Sequence, residues 1–473
     1  MNVKRLDILT IEIGSTITKA NGFIRHADGG FEPVAQGFAP TSIGLGDIGI
    51  GAGESLLALE EATGYSTDGI ETFVNSSAAG GLRMTVHGLT YNMTARAARE
   101  ASLGAGAIVK MVTAGSLGDS DLDEIREIRP NMLLLAGGVD FGERETVWKN
   151  AEKLVSLKLG VPLLYAGNAA LRRKVEELAK ASGIEFLTAP NVFPDVDVLN
   201  VDPLRKLIQE VFSRHIIHAP GMARIALFTS HGVLPTPGAV LRAAELFADV
   251  MGDALILDVG GATTDVHSVT EGSREFADKL IDPEPRAKRT VEGDLGVFVN
   301  AGNLLEMEED PAWAARADEI KALPKSEREC EMTRRLCQRA VEVGARRHAG
   351  VIADIFTPSG RRQVVRGKDL SAVKWVVGTG GALTRIPGGE EILRGICRGP
   401  EKHLLPRPDA GILLDRGYLF SALGTIAQVY PDAVRATFLR LFGGNSKNAC
   451  DRGIFPNSGG IDRVDTPSPG SPQ

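Results

Sequence analysis

The stretch Asp258-Val-Gly-Gly-Ala-Thr-Thr-Asp265, entered directly from the apolar run Ala254–Leu257, decides the fold. A strand that ends in an acid, turns on two glycines and leaves through two threonines toward a second acid predicts a β-hairpin with an open backbone turn. Gly260 and Gly261, with Ala262 and Thr263, let backbone N–H groups approach phosphate oxygens without an obstructing side chain. Asp258 and Asp265 are the candidate holders of Mg²⁺ through its waters, and Thr263 the residue beside a terminal phosphate that orients water.

The same design stands near the start of the chain. Residues 6–24, LDILTIEIGSTITKANGFI, predict two β-rich runs joined around Gly14, Ser15 and Thr16. Glu12 ends the first run as Asp258 ends the later one, 246 positions on, which predicts a duplicated, two-lobed architecture. Ser15 and Thr16 offer hydroxyls and backbone donors to phosphate, and Lys19 offers a positive charge to the β and γ oxygens. A third segment, Lys374-Trp-Val-Val-Gly-Thr-Gly-Gly-Ala-Leu-Thr-Arg-Ile-Pro387, is a buried strand opening into a glycine turn. Gly378, Gly380 and Gly381 are expected to let backbone lie flat against adenine or ribose. No G-x-x-x-x-G-K-[ST] loop occurs in the chain, so a nucleotide is expected between two hairpins and not at one helix terminus.

Between residues 100 and 218, short apolar runs alternate with helical stretches, a βαβ series that predicts a parallel sheet. The expected organisation is therefore 1–99 as the first part of one lobe and 100–218 as an inserted α/β subdomain. Residues 219–442 are expected to form the second lobe, and 443–473, rich in Gly, Ser, Asn, Asp and Pro, a disordered tail. Residues 308–349 read as charged helical cover.

Composition narrows the function. With 53 Lys and Arg against 60 Asp and Glu, the net charge is −7, without the basic footprint of a nucleic-acid binder. Apolar residues make up 43% and charged residues 24%, as in folded globular chains. No apolar run reaches the roughly 18 to 20 residues of a membrane span, and the four cysteines have no C-x-x-C spacing, so no membrane partner and a reducing cytoplasmic setting are expected.

The three glycine segments, in this order, resemble the phosphate-1, phosphate-2 and adenosine motifs of the actin, sugar-kinase and DnaK-type chaperone ATPases. The third is close to the chaperones' G-G-x-T-R-I-P string, with one residue added between Gly381 and Thr384. This resemblance implies a two-lobed actin-like (ribonuclease H-like) ATPase fold of the α/β class, with ATP and Mg²⁺ between the lobes. Glu12, Asp258 and Asp265 would lie toward the metal, with Glu12, Asp258 and Thr263 catalytic. One departure is Glu12 itself, where the superfamily normally has Asp.

A narrower resemblance runs over roughly residues 5–440. Asn75-Ser-Ser-Ala-Ala-Gly-Gly-Leu-Arg-Met84, Met132-Leu-Leu-Leu-Ala-Gly-Gly138, Asn191-Val-Phe-Pro194 with Leu199-Asn-Val-Asp-Pro203, and Lys288-Arg-Thr-Val-Glu-Gly-Asp-Leu-Gly296 are similar to the glutamate mutase accessory family, MutL or GlmL, which is unrelated to the mismatch-repair protein of that name. It implies a slow ATPase acting as a chaperone-like reactivating partner of an adenosylcobalamin-dependent mutase such as glutamate (methylaspartate) mutase, with ATP and ADP as its nucleotides and no cobalamin of its own. The alternatives are a small-molecule kinase of the same fold, an activator of 2-hydroxyacyl-CoA dehydratases, and a scaffold that holds ATP without hydrolysing it.

Other residues take plainer readings. Asp265-Val-His267 begins like a D-x-H-x-x-G cobalamin motif, but position 270 is Thr, so His267 is read as a core histidine. His231 is read as a satisfied loop histidine. Glu292 and Asp294 either face the ribose side of the cleft or cap a helix. Ala136-Gly-Gly-Val139 and Tyr165-Ala-Gly-Asn168 are either plain βα turns or a second ligand crevice at a sheet's switch point.

Overall fold

The computed structural model describes residues 4–78, 81–218, 221–229, 231–308, 310–358 and 360–443. The expected disordered tail, apart from Gly443, lies outside the described residues. Two five-stranded mixed sheets carry the architecture. In the first, Ile8–Ile13, Ile17–Arg25 and Phe31–Pro40 run antiparallel, while Glu71–Ser76 and then Leu234–Pro235 add parallel strands beyond Ile8–Ile13. In the second, Ala254–Val259, Thr264–Val269 and Ala287–Glu292 are antiparallel, and Trp375–Thr379 then Gly411–Leu414 add parallel strands beyond Ala254–Val259. The order is the same in both, so the duplication expected from two short hairpins extends through both sheets. This is the two-lobed actin-like, ribonuclease H-like architecture.

Ile8–Ile13 is buried at all six positions because helices cover both faces of a central strand, which is why its sequence reads as nearly continuous apolar residues. The lobes share one core. Ile8, Phe23 and Phe73 from the first sheet pack in one cluster with Ile256, Phe247, Phe420 and Phe438. Its centre is the crossing of helices Thr236–Met251 and Leu419–Ile426, where a Cβ on Gly424 would come within 1.9 Å of the Ala239 carbonyl oxygen. Only a hydrogen at that position allows the two backbones so close.

A third sheet is wholly parallel, in the order Phe186–Thr188, Leu163–Tyr165, Met132–Leu135, Arg83–Gly88, Ile108–Ala114. It starts ahead of the boundary expected at residue 100, for a physical reason. Arg83–Gly88 is a central strand that buries Thr85 and His87 among its apolar residues, and those two interrupt the hydrophobic run that marks a strand. Strand Leu234–Pro235 likewise completes the first sheet from inside the stretch expected to belong to the second lobe. Within 308–349, the long helix is Glu327–His348, opened by a reciprocal cap between Ser326 and Glu329. Among the described residues, no helix is long and apolar enough to cross a membrane.

Replacing Gly424 by Leu must push the two central helices apart. Overpacking of this kind costs about 1–3 kcal/mol, so Gly424→Leu is expected to lower the thermal-unfolding midpoint by several degrees, whereas Gly395→Ala, with open space around it, should leave it in place.

Candidate active site

The two hairpins place their acids in the same register. Glu12 lies directly opposite Lys19 on the first, and Asp258 directly opposite Asp265 on the second. In the first pair, Lys19 Nζ donates to Glu12 Oε1 at 2.7 Å and lies 3.9 Å from the centre of the Tyr418 ring. The other Glu12 oxygen accepts from the Ser421 hydroxyl. The additional methylene of Glu over Asp thus carries the carboxylate onto helix Leu419–Ile426, which packs against Ile8–Ile13 and Glu71–Ser76. In the second pair, two like charges face each other, and Arg289 supplies the counter-charge. Its Nε donates to Asp265 Oδ1 at 2.8 Å, its Nη2 lies 2.6 Å from the same oxygen, and its Nη1 donates to the Leu103 carbonyl at 2.8 Å.

Each turn is pinned from behind, leaving its N–H groups outward. On the first, Gly14 N donates to Ile17 O, the Thr41 hydroxyl donates to Gly14 O at 2.8 Å, and Thr41 N donates to Thr16 O at 2.9 Å. On the second, Gly260 N donates to Thr263 O. Three successive carbonyls are then taken up by one segment: Gly260 by Val297 N, Gly261 by Phe298 N and Val299 N, and Ala262 by the Asn300 side-chain amide at 2.7 Å. The N–H groups of Gly261, Ala262 and Thr263 have no hydrogen-bond partner among the described residues, nor do those of Ser15 and Thr16. Fixed peptide planes with free donors are what an anionic ligand needs.

The third segment reaches the second hairpin through Gly380. Its φ of 87° is open to glycine, and a Cβ there would lie 2.4 Å from the Val259 carbonyl and 2.9 Å from Asp258 Oδ1. Gly381 faces open space apart from the Tyr418 hydroxyl. Gly378 is different. A Cβ on it would meet Leu393, Leu383 and Leu414, so this glycine makes room for the core and does not present backbone to a ligand. A cavity of about 370 Å³ opens beside this segment, with Arg385, Ile386, Pro387, Leu414 and Arg416 in its wall. The Arg385 guanidinium stands over the rings of Tyr418 and Phe38 at 5.4 and 5.6 Å. The volume suits a nucleoside.

Acids outnumber bases where these segments meet. Burial, then the charge of Asp265, pushes the Asp258 carboxyl up from 3.8 to about 7; Lys19 opposes this, and Glu12 and Asp415 add to it. Asp415, absent from the sequence expectations, is pushed up by burial while accepting from Phe420 N, Leu419 N and the Thr379 hydroxyl. Burial alone would lower the Lys19 ammonium, but Glu12, Tyr418 and Asp258 hold it above its ordinary value. This excess of carboxylate at Asp258 is the chemistry that a hard divalent cation relieves, so the donor set fits hydrated Mg²⁺. Among the described residues, no three His, Cys, Asp or Glu converge as direct ligands. Asp258, with Glu12 across the cleft, would hold such an ion through its waters. Asp265 departs from the sequence expectation, because its Oδ1 is taken by Arg289 and its Oδ2 faces the Thr263 hydroxyl at 3.5 Å.

Other expected residues resolve simply. His267 is wholly buried with neither ring nitrogen partnered, out of reach of any cofactor in solvent. His231 stacks on Phe73 at 4.3 Å and pairs with Glu71. Glu292 and Asp294 are both bound by Arg347. Tyr418, Ser421, Arg289, Thr41 and Asn300 were not expected; all act across long sequence separations.

Two sheets of one topology, with paired glycine hairpins beside a nucleoside-sized cavity, define an ATPase-fold protein of the actin-like class. The family model described as MutL protein matches residues 8–441. Protein MutL of Clostridium tetanomorphum is 36% identical over 402 residues, 80% of this chain and 87% of that relative. The chain belongs to the MutL family. Among solved structures, it is similar to a nucleotide-free acetone carboxylase, at 12% identity and a TM-score of 0.34 over 89% of this chain and 70% of that one. It is also similar to a glycerol dehydratase reactivase, at 10% identity and a TM-score of 0.32 over 82% and 94%.

A carboxyl raised in the folded state contributes stability that is fully present below its unfolded value and is lost as pH rises through its folded value. For Asp258 that window runs from 3.8 to about 7. Asp258→Asn keeps a neutral group throughout, so the variant's thermal midpoint relative to the parent should climb between pH 4.5 and pH 8. An offset that does not change with pH would refute the raised carboxyl.

Proposed function

We propose that the chain binds ATP with Mg²⁺ between its two hairpins and the Gly380–Arg385 segment, hydrolyses it slowly, and works in the cytoplasm as a reactivating accessory protein. Its client on this reading is an adenosylcobalamin-dependent carbon-skeleton mutase such as glutamate mutase. The observation that carries the nucleotide part is the second turn: three N–H groups without a partner among the described residues, on peptides fixed by the bonds from Val297, Phe298, Val299 and Asn300, at the end of the strand that carries Asp258. Membership of the MutL family supports the client.

On this reading, Lys19 neutralises β and γ oxygens, and the free N–H groups of residues 261–263 and 15–16 hold the phosphates. Asp258, at the end of its strand beside the glycine turn, is the carboxylate that can accept the proton of an attacking water oriented by Thr263. Bound Mg²⁺ would supply further neutralisation of phosphate charge. Glu12 is tied to Lys19 and Ser421, which leaves Asp258 as the carboxylate free to move a proton. Arg385, Ile386 and the 370 Å³ cavity support placement of the adenosine end.

Isothermal titration of the nucleotide-free chain should register ATP and ADP, and no binding at millimolar nucleotide would overturn the site. Asp258→Ala should lose at least about 10²-fold in turnover, as for removal of a group that stabilises the transition state, with a smaller effect on nucleotide affinity. Wild-type turnover in that variant would remove Asp258 from the chemistry.

The client is tested separately, by the damaged cobalamin absorbance left on glutamate mutase after gel filtration. ATP should release it, whereas ADP alone should not. Equal release under both conditions, or with no nucleotide, would defeat reactivation, and cobalamin purifying with this chain alone would defeat the expectation that it carries none.

A further inference from the structure

The inserted parallel sheet has the strand order in which ligands gather at the carboxyl ends, where the chain switches direction beside its first strand. The glycines there serve another end. A Cβ on Gly167 would lie 2.7 Å from Gly137 N, and one on Gly138, at φ 69°, would lie 2.8 Å from Glu143 O. His87, ending the first strand, is wholly buried, with both ring nitrogens taken by Thr113 and Thr85 at 2.8 and 2.9 Å. Close packing of backbone and side chains fills the crevice.

What this end presents instead is apolar. Phe141 is 74% exposed at φ 63°, a left-handed conformation that is strained for a bulky residue. Three polar side chains hold it there. Asp140 Oδ1 accepts from Ala169 N and Asn191 Nδ2, Phe141 N donates to Asn168 Oδ1, and Asn168 Nδ2 donates to Glu143 O, all between 2.8 and 3.0 Å. Asn168 and Asn191 are buried, so the frame is rigid. Asp140 N donates to Pro194 O at 2.9 Å, which sets a second turn alongside, with Val196 and Val198 exposed and Asp197 at φ 59°. Glu143, Asp195 and Asp197 are exposed on the two turns that carry these apolar side chains, with Arg144 exposed among them and Lys149, paired with Glu145, on the helix that follows.

We infer that this end of the inserted sheet is a docking surface for a partner protein, with Phe141 as its central anchor. The partner offers an apolar socket bordered by Lys and Arg side chains. The hydrogen bonds of this frame fix the backbone that projects Phe141, so less of the turn has to be ordered on contact, a condition that favours affinity at an aromatic anchor. The acidic border selects a basic rim and repels an anionic lipid surface. The inference rests on the accessory-protein reading above and gives its client a place to bind.

The test uses the full chain and purified glutamate mutase, with affinity measured by sedimentation or biolayer interferometry in the presence of ATP. Phe141→Asp and Val196→Asp should each weaken binding at least tenfold, while Phe356→Asp, on the distant hairpin of residues 351–366, should not. Phe141→Gly keeps the backbone conformation without strain, so it should keep or raise the thermal midpoint and still lose binding. Affinity should fall with added salt. Wild-type affinity in Phe141→Gly and Phe141→Asp would overturn this surface and leave the client reading intact, and a salt-independent affinity would overturn the basic rim. Failure of the unaltered chain to bind the mutase, with ATP titration normal, would overturn the client and this surface together.

Discussion

Two carboxylates set directly opposite one another on a buried antiparallel hairpin repel, and the second lobe is organised around how that repulsion is met. Asp258 and Asp265 occupy the positions that Glu12 and Lys19 hold on the first hairpin, where the facing charges attract. Arg289 pairs with Asp265 from the neighbouring strand, while Asp258 has no such partner among the described residues, and burial, then the charge of Asp265, pushes its carboxyl up toward neutral pH. The guanidinium has a further donor, spent on Leu103 at the end of helix Arg96–Gly104. One arginine therefore does two things: it pairs with one of the two facing acids, and it ties the second sheet to a helix that leads into the inserted one.

Around that pair, the turns are shaped by what holds their carbonyls. Thr41 fastens the first and residues 297–300 the second, in each case from a segment far enough away in sequence to be independent of the hairpin. Donors that already point outward need no reorganisation when an anion arrives, which is where fixed dipoles gain over solvent. Tyr418, in the left-handed region at φ 54°, closes the arrangement by lying over Lys19 and under Arg385.

Much of this was legible from residue order. An apolar run ending in an acid and followed by glycines marked both hairpins, because strand burial and turn geometry are local requirements. Asp415 follows the apolar run Ile412–Leu414 and repeats that signature, so it was within reach of the same reading. Arg289, Thr41 and Asn300 were not, since each acts through pairing that only the folded chain brings about. Gly378 shows the opposite error. Glycine needed beside a leucine core and glycine needed beside a ligand are the same letter, and only the neighbours tell them apart. Strand Arg83–Gly88 was hidden because buried Thr85 and His87 satisfy their polar groups internally, which periodicity cannot register.

Helix Arg96–Gly104 is covalently part of the segment that interrupts the first lobe, yet it is fastened to the second. Arg96 pairs with Glu284 and Asp282, and Leu103 receives Arg289. Such an element spans the joint between two bodies in the way a tie rod does. If the lobes turn about the crossing at Gly424, the rod can keep its attachments only by carrying the parallel sheet along with it, so rotation in the cleft is converted into displacement at the far end of the insertion. The segment that interrupts the first lobe is thus held by the second as well, and these contacts take up the load of any shift between the two.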